Sequence, residues 1–370
     1  LGGGTIINSK DKTTLTSNFG YYYPSSKLFL FKSNVNLLAE NYTIMCDTLK
    51  YNAEDEITFF LGPTNIQSDS SSIYCEKGWF NASTDESVFS KNAIINNQEQ
   101  EIKGDSIYYN KATSYGEIFG KVSLKDTTNK LLLTGDYAWY NDKDSTTLIT
   151  GKALLTQNFG SDTFFLHADT LFAGYDSTGT NKELFAYNHV QFFKEDMQGR
   201  CDSLKFSDAD STIKMFNGPT LWNEENQITG TMIKITQYDE EIKFLDIESN
   251  AFIASKVDSL KFNQIKGISL LGTFEQNDLS KVFINDNGQT IYYAKSDSNF
   301  IGMNKTICEN MIMYLDSNTV SKITFLSKPE ATLYPFKDIN PENSVLEGFI
   351  WKDAIRPKDK LDIFYWKEDL

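Results

Sequence analysis

A unit of roughly 30 residues recurs along most of this chain, and a repeat of that period constrains the fold before any single residue does. Its clearest copy is Gly104-Asp105-Ser106-Ile107-Tyr108-Tyr109. Fifteen residues after the aspartate comes Gly120-Lys121-Val122-Ser123-Leu124. The first half returns as Cys46-Asp47-Thr48-Leu49-Lys50-Tyr51, Gly135-Asp136-Tyr137-Ala138-Trp139-Tyr140, Ala168-Asp169-Thr170-Leu171-Phe172, Cys201-Asp202-Ser203-Leu204-Lys205-Phe206 and Val257-Asp258-Ser259-Leu260-Lys261-Phe262, with degenerate copies between. The second half returns as Gly62-Pro63-Thr64-Asn65-Ile66, Gly151-Lys152-Ala153-Leu154-Leu155, Asn188-His189-Val190-Gln191-Phe192 and Gly218-Pro219-Thr220-Leu221-Trp222.

Each half alternates apolar and polar residues and is rich in Val, Ile, Thr, Tyr and Phe. Alternation places one set on each face of a strand, and these residue types suit a half-buried pleated surface. Asp105, Ile107 and Tyr109 share a parity, as do Ile118, Val122 and Leu124. No long stretch has a 3.6-residue period. Two such strands cannot bury an apolar face alone, but stacked copies can. The expected fold is therefore all-β: an elongated repeat β-jelly roll or β-solenoid of two facing sheets, with a short Pro-rich C-terminal tail.

The repeats run from residue 13 to 326, and residues 1 to about 12 read as frayed. From Ser327 the composition changes: Pro329, Pro335, Pro341 and Pro357 are four of the chain's seven prolines. Residues 327–370 read as a capping or docking tail, or alternatively as a linker or partner-binding strip. Asn340-Pro341-Glu342 has the form of a helix start, so a short helix over 342–349 is predicted.

A net charge of -15 disfavours nucleic acid and anionic bilayers as partners. No stretch approaches 18 apolar residues, so nothing reads as a membrane-spanning helix. The opening Leu1-Gly2-Gly3-Gly4, without an initiator Met, is consistent with removal of an export signal.

Few residues invite chemistry. Cys46, Cys75, Cys201 and Cys308 each precede the acid position, where other copies carry Gly104, Gly135, Ala168, Gly230 or Val257. They read as small residues in a tight slot, with a Cys46–Cys75 disulfide as the alternative. Metal-ligand spacing is absent. His167 and His189 lie inside repeats and give no catalytic pattern. The acid column of Asp47, Asp105, Asp136, Asp169, Asp202 and Asp258 reads as structural, each carboxylate bonding a neighbouring turn amide; cation binding and paired-acid catalysis are the alternatives. The inward column is core by default: Leu49, Tyr51, Ile107, Tyr109, Leu171, Leu204, Phe206, Leu260 and Phe262, with Val122, Leu124 and Trp222 opposite. If the two sheets splay along one edge, the same residues line an apolar groove for acyl chains.

The pattern small-Asp-Ser/Thr-Leu/Ile-x-Tyr/Phe, then Phe/Leu-x-Gly-x-Val-x-Leu, resembles the OstA/LptA-like repeat of lipopolysaccharide-transport proteins. Gly104 to Leu124 and Cys46 to Ile66 carry it best, and it extends over residues 13–326. The tail, with Lys328-Pro329-Glu330 and Leu346-Glu347-Gly348-Phe349-Ile350-Trp351, is similar to the longer, Bacteroidetes-type OstA-like proteins. The resemblance implies a periplasmic, exported jelly roll, associated with outer membrane biogenesis, whose apolar groove shelters lipid A acyl chains. It also implies joining end to end with other Lpt-type jelly rolls, self-association included, into a bridge between inner and outer membranes. It implies no enzyme activity, no cofactor and no metal. The chain departs in its length and its acidity, which sits awkwardly with an anionic glycolipid unless divalent cations intervene. The alternative is a closed β-solenoid acting as a structural spacer or adhesin-like interaction protein. A β-solenoid carbohydrate enzyme is a third reading, and it lacks a cleft where acids and a base converge.

Overall fold

The computed structural model describes residues 3–8, 12–160, 162–238, 241–275, 278–296, 299–316 and 319–368. Among them are 29 strands, four short 3-10 helices and no α-helix. Among the described residues the strand pairs are antiparallel, so the repeats are joined as a meander of hairpins rather than wound as a coil. The chain divides into two compact units, Leu1–Ser161 with Thr170–Tyr175, and Asp162–Asp169 with Asp176–Leu370.

The first unit is built from long strands that each serve both sheets. Leu28–Leu38, Tyr42–Asn52, Ile57–Ser68, Ser71–Asn81, Glu86–Asn97, Gln100–Asn110, Tyr115–Asp126, Leu131–Asn141 and Thr146–Asn158 are 11–13 residues long. Every second strand is bent near its middle by left-handed residues: Ser33-Asn34, Gly62 before Pro63, Lys91-Asn92, Gly120-Lys121 and Gly151-Lys152. The register slips at each of these corners. Glycine and asparagine adopt this conformation most cheaply, which is why the repeat carries them there. The partner strand slips too. In Gln100–Asn110, Gly104 and Ile107 are both buried although three apart, and Asp105 between them is exposed. The acid therefore faces outward and does not share a face with Ile107, because the strand shifts by one residue at the corner. Hairpins are closed by Asn52, Asn81, Asn110 and Asn141, whose side-chain Oδ1 accepts a backbone N–H two or three residues on, at 2.9–3.0 Å. Residues Gly4–Asn8, expected to be frayed, form a strand paired with Thr13–Ser17; residues 1–2 and 9–11 lie outside the described residues.

In the second unit the strands break at the corners and the sheets part. One sheet runs through Thr212–Phe216, Met232–Tyr238, Glu241–Glu248, Ser269–Glu275, Asp278–Asn285, Asn310–Asp316 and Thr319–Leu326. The other runs through Thr220–Asn223, Asn226–Thr229, Ala251–Lys256, Phe262–Gly267, Gly288–Ser296, Asn299–Cys308 and Glu330–Tyr334. Met197–Ser207 pairs into both. After Tyr334 the tail crosses the outer face of this second sheet, where Leu346 packs with Phe252, Ala254 and Ile291. It goes on to the strand Lys182–Phe193, where Gln191 bonds Ile363 O; Leu346, Ile355 and Ile363 are all buried. The predicted helix over 342–349 is not formed. Asn340 Oδ1 does accept the N–H of Glu342 and Asn343, at 3.0 and 3.1 Å. The next groups are taken by Gln264, which bonds Ser344 O and Leu346 N, so no helical ladder propagates.

Candidate functional site: an apolar trough

The interior of the first unit is graded. Beside the corners, Phe31, Leu49, Phe60, Phe89, Ile107, Ile118 and Ile149 on one arm and Val35, Cys46, Cys75, Ala93, Val122 and Ala153 on the other are 6% exposed or less. The apex is tight: a Cβ on Gly104 would stand 2.4 Å from Ile118 Cγ2, and one on Gly135 2.6 Å from Ile149 Cγ2. This is the physical content of the small-residue column. Cys46 and Cys75 occupy it as free, buried thiols, as do Cys201 and Cys308 in the second unit; none is in a disulfide. Burial pushes the Cys46 and Cys201 thiols up to about 12 and Cys75 to about 11, so they are poor nucleophiles.

One step further from the corners, burial falls off. Leu37, Ile44, Ile66, Ile73, Ile95, Ile102, Leu124, Leu133 and Leu155 are successive partners in register, an unbroken aliphatic column across nine strands. It continues through Leu15 to Ile6. Most of its members are half-buried. Beyond it the rim turns polar, with Ser68, Ser71, Asn97, Gln100 and Asp126. On the other arm the matching column alternates aromatic and small from Tyr51 onward: Phe29, Tyr51, Thr58, Phe80, Ser87, Tyr109, Gly116, Tyr140 and Thr147. The Tyr109 and Tyr140 rings stack at 6.1 Å, and the Tyr109 hydroxyl reaches Asp142 at 3.2 Å. The first unit thus has a sealed apex below a half-exposed apolar mouth with polar edges.

The second unit has a buried column on each sheet: Ile235, Leu245, Val282 and Met313 on one and Leu221, Ile228, Ile253 and Ile265 on the other are all 8% exposed or less, while Ile242, Phe274, Leu279 and Leu315, further from the corners, are half-buried.

The sequence-derived residues fall accordingly. Leu49, Ile107, Val122 and Leu171 are buried inside the first unit, and Tyr51, Tyr109 and Leu124 stand half-buried beside them. Leu204 and Phe206 point into the second unit, in register with Met215 and Ile213. Three do not line an interior. Leu260 is 85% exposed, because 257–261 is a bend outside any strand, held by Asp258 accepting the N–H groups of Leu260 and Lys261. Trp222 and Phe262 lie on the outer face beneath the tail; Phe262 packs at 5.2 Å from Phe349 and 4.8 Å from Trp351. For Trp222 the left-handed pair is Asn217-Gly218, one residue earlier than in Gly120-Lys121, so the faces that follow are exchanged. Sequence reasoning also missed most of the aliphatic column. Its signal was the residue two before each small-Asp pair, as in Ile44, Ile73, Ile102 and Leu133.

The acid column lies outside, on the corners. Asp105 pairs with Lys121 at 3.0 Å and Asp169 with His189 Nδ1 at 2.8 Å, while Asp202 accepts from Asn217 at 3.2 Å. These three acids bind corner side chains rather than the turn amides expected, whereas Asp258 does bond the turn amides of Leu260 and Lys261. Among the described residues no three His, Cys, Asp or Glu gather as for a metal ion.

Two family models match. Residues 1–47 match an OstA-like protein, and residues 132–241 match the LptA/(LptD N-terminal domain) LPS transport protein. No curated protein matches the chain. Among solved structures, LptH, the LptA-homologous periplasmic component of the lipopolysaccharide transport device from Pseudomonas aeruginosa, is similar over 38% of this chain and 95% of its own. Identity is 10% and the TM-score 0.30.

Proposed function

We propose that this chain, which matches OstA-like and LptA/LptD N-terminal family models over residues 1–47 and 132–241, is a lipopolysaccharide-transport type β-jelly-roll module and that the trough of its first unit shelters acyl chains. The observation that carries this reading is the unbroken aliphatic column from Leu37 to Leu155, half-exposed above a sealed apex. Each methylene drawn from water into such a slot is stabilised by about 0.8 kcal/mol. Successive strands offer Leu or Ile about 4.8 Å apart. Neighbouring positions therefore hold a chain with like affinity, and a lipid moves along without a trap. The Tyr rings and polar rim suit the junction between acyl chains and a sugar headgroup.

Localisation in the periplasm and a bridging role belong to the same proposal. Among the described residues, Phe19–Tyr23 pairs on one side only, as does Thr319–Leu326. Such open edges can accept a partner's strands, either of another Lpt-type jelly roll or of a second copy. No catalytic role is assigned: Asp105, Asp169 and Asp202 of the acid column sit on the outer corners, paired with corner side chains.

Binding of a fluorescent acyl probe, displaced by purified lipopolysaccharide with and without divalent cation, tests the reading. Saturable displacement is expected, and a cation requirement would link the outer acids to the headgroup. No uptake under either condition would make the chain a closed spacer.

A further inference from the structure

One column on the outer face of the second unit is built as a binding site. Gln198, Trp222, Gln227, Ala254, Gln264 and Ile291 are successive partners in register. Each is 3% exposed or less. A glutamine therefore recurs on every second strand, about 9.6 Å apart, with an apolar residue between. A buried side-chain amide is costly unless bonded, and these are bonded by the tail. Gln264 donates to Ser344 O at 2.9 Å and accepts from Leu346 N at 2.8 Å. Gln227 donates to Ile350 O at 2.8 Å and accepts from Lys352 N at 2.7 Å. The same pair of groups, the carbonyl of one residue and the N–H two residues on, is read twice at a six-residue interval. Gln198 Oε1 accepts from Arg356 Nε at 2.7 Å. Further along, Gln191 donates to Ile363 O at 2.9 Å and Arg200 to Lys367 O at 2.8 Å, its guanidinium 3.7 Å from the Trp366 ring.

Six extended residues would span roughly 20 Å, twice the glutamine spacing. The tail fits by looping out between contacts, at Gly348 (φ +89°) and at the 3-10 turn Asp353–Ile355. Past Tyr334 no described residue pairs in a sheet. The tail is attached through side-chain amides and by its anchors Leu346, Ile355 and Ile363.

We propose that this face is a peptide-recognition site, with residues 340–367 as its resident ligand, and that the same segment of a second copy fits it in trans. The ligand class is a scalloped peptide that offers a carbonyl and the N–H two residues on, twice at a six-residue interval, with aliphatic anchors nine and eight residues apart. The proposal rests on no part of the lipid reading.

The test uses the full chain with its own tail released by Leu346→Asp, Ile355→Asp and Ile363→Asp. A labelled synthetic peptide of residues 340–367 should bind the released chain saturably, one to one, and the unaltered chain at least tenfold more weakly. Adding Gln227→Ala and Gln264→Ala to the released chain should weaken the peptide at least tenfold. A released chain that keeps its β circular dichroism but does not bind, or binds regardless of the glutamines, overturns the proposal. So does loss of the fold on release, since the segment is then part of the core. In the unaltered chain, the amide protons of Leu346 and Lys352 should exchange at least tenfold faster than those of Ala251–Lys256; exchange in step with that strand overturns it as well.

Discussion

Tyr140 lies across the backbone of Gly116, its partner in register, so closely that a Cβ on Gly116 would stand 2.3 Å from the ring's Cζ. The alternation of aromatic and small residues along that arm is thus a packing device, each ring overlying the gap left by its neighbour. Gly116→Val should push the ring off its seat and destabilise the first unit by about 1–3 kcal/mol. Urea unfolding measures this. An unchanged midpoint would mean that the ring has somewhere else to lie.

The corners should show a sharper asymmetry. Gly120 has φ +66°, and a Cβ there would stand 2.6 Å from Asp105 Oδ2. Gly120→Ala should cost more than about 1 kcal/mol through the backbone alone. Asp105→Asn should cost under about 1 kcal/mol, because its Lys121 partner is 82% exposed and the pair is screened. Denaturant midpoints of the two variants give the comparison, and equal losses would count against the corner as the strained element.

How much of this was legible in the residues differs from feature to feature. The period and the β class were readable; the Gly-x corners left a regular mark in the repeat, but the strand reads as running straight through them, and only the left-handed backbone shows the bend. The tail's departure from the repeat was readable from its prolines. The face assigned to Trp222 was not, since a one-residue shift of the corner inverts every side chain after it. Val257-Asp258-Ser259-Leu260 has a strand's composition, but the Asp258 carboxylate bonds the Leu260 and Lys261 amides and makes a bend instead. Gln198, Gln227 and Gln264 look like a solvent face in sequence. Only the tail lying over them makes them buried, and that contact spans up to 158 residues.

The thiols should be inert. With burial raising Cys46 and Cys201 to about 12, native protein at pH 8 should take up no iodoacetamide, and unfolded protein should take up four equivalents by intact mass. A mass two units low without reductant would reveal a disulfide that the buried, free sulfurs exclude.

Acid should weaken the fold. The Ser203 hydroxyl and then the Asn217 amide hold Asp202 below the usual carboxylate range, and Thr212 does the same for Asp210. A depressed folded pKa contributes stability that is complete above the unfolded value of about 3.9 and is lost as pH falls through the folded value. At the other end, burial and then nearby Asp142 push the Tyr140 phenol up. That contribution is present below pH about 10 and lost as pH rises beyond it. The thermal midpoint should therefore fall below about pH 4 and again above about pH 10. A midpoint flat from pH 6 down to pH 3 would show that these hydrogen bonds persist in the unfolded chain.

The most direct measurement places a photoreactive residue at Ile102, on the half-exposed aliphatic column, and separately at Met313, on a buried column of the second unit, and irradiates each with lipopolysaccharide. A lipid adduct at position 102 and none at 313 is the expected result. No adduct at 102, or equal adducts at both, would contradict the trough as the place where acyl chains are sheltered.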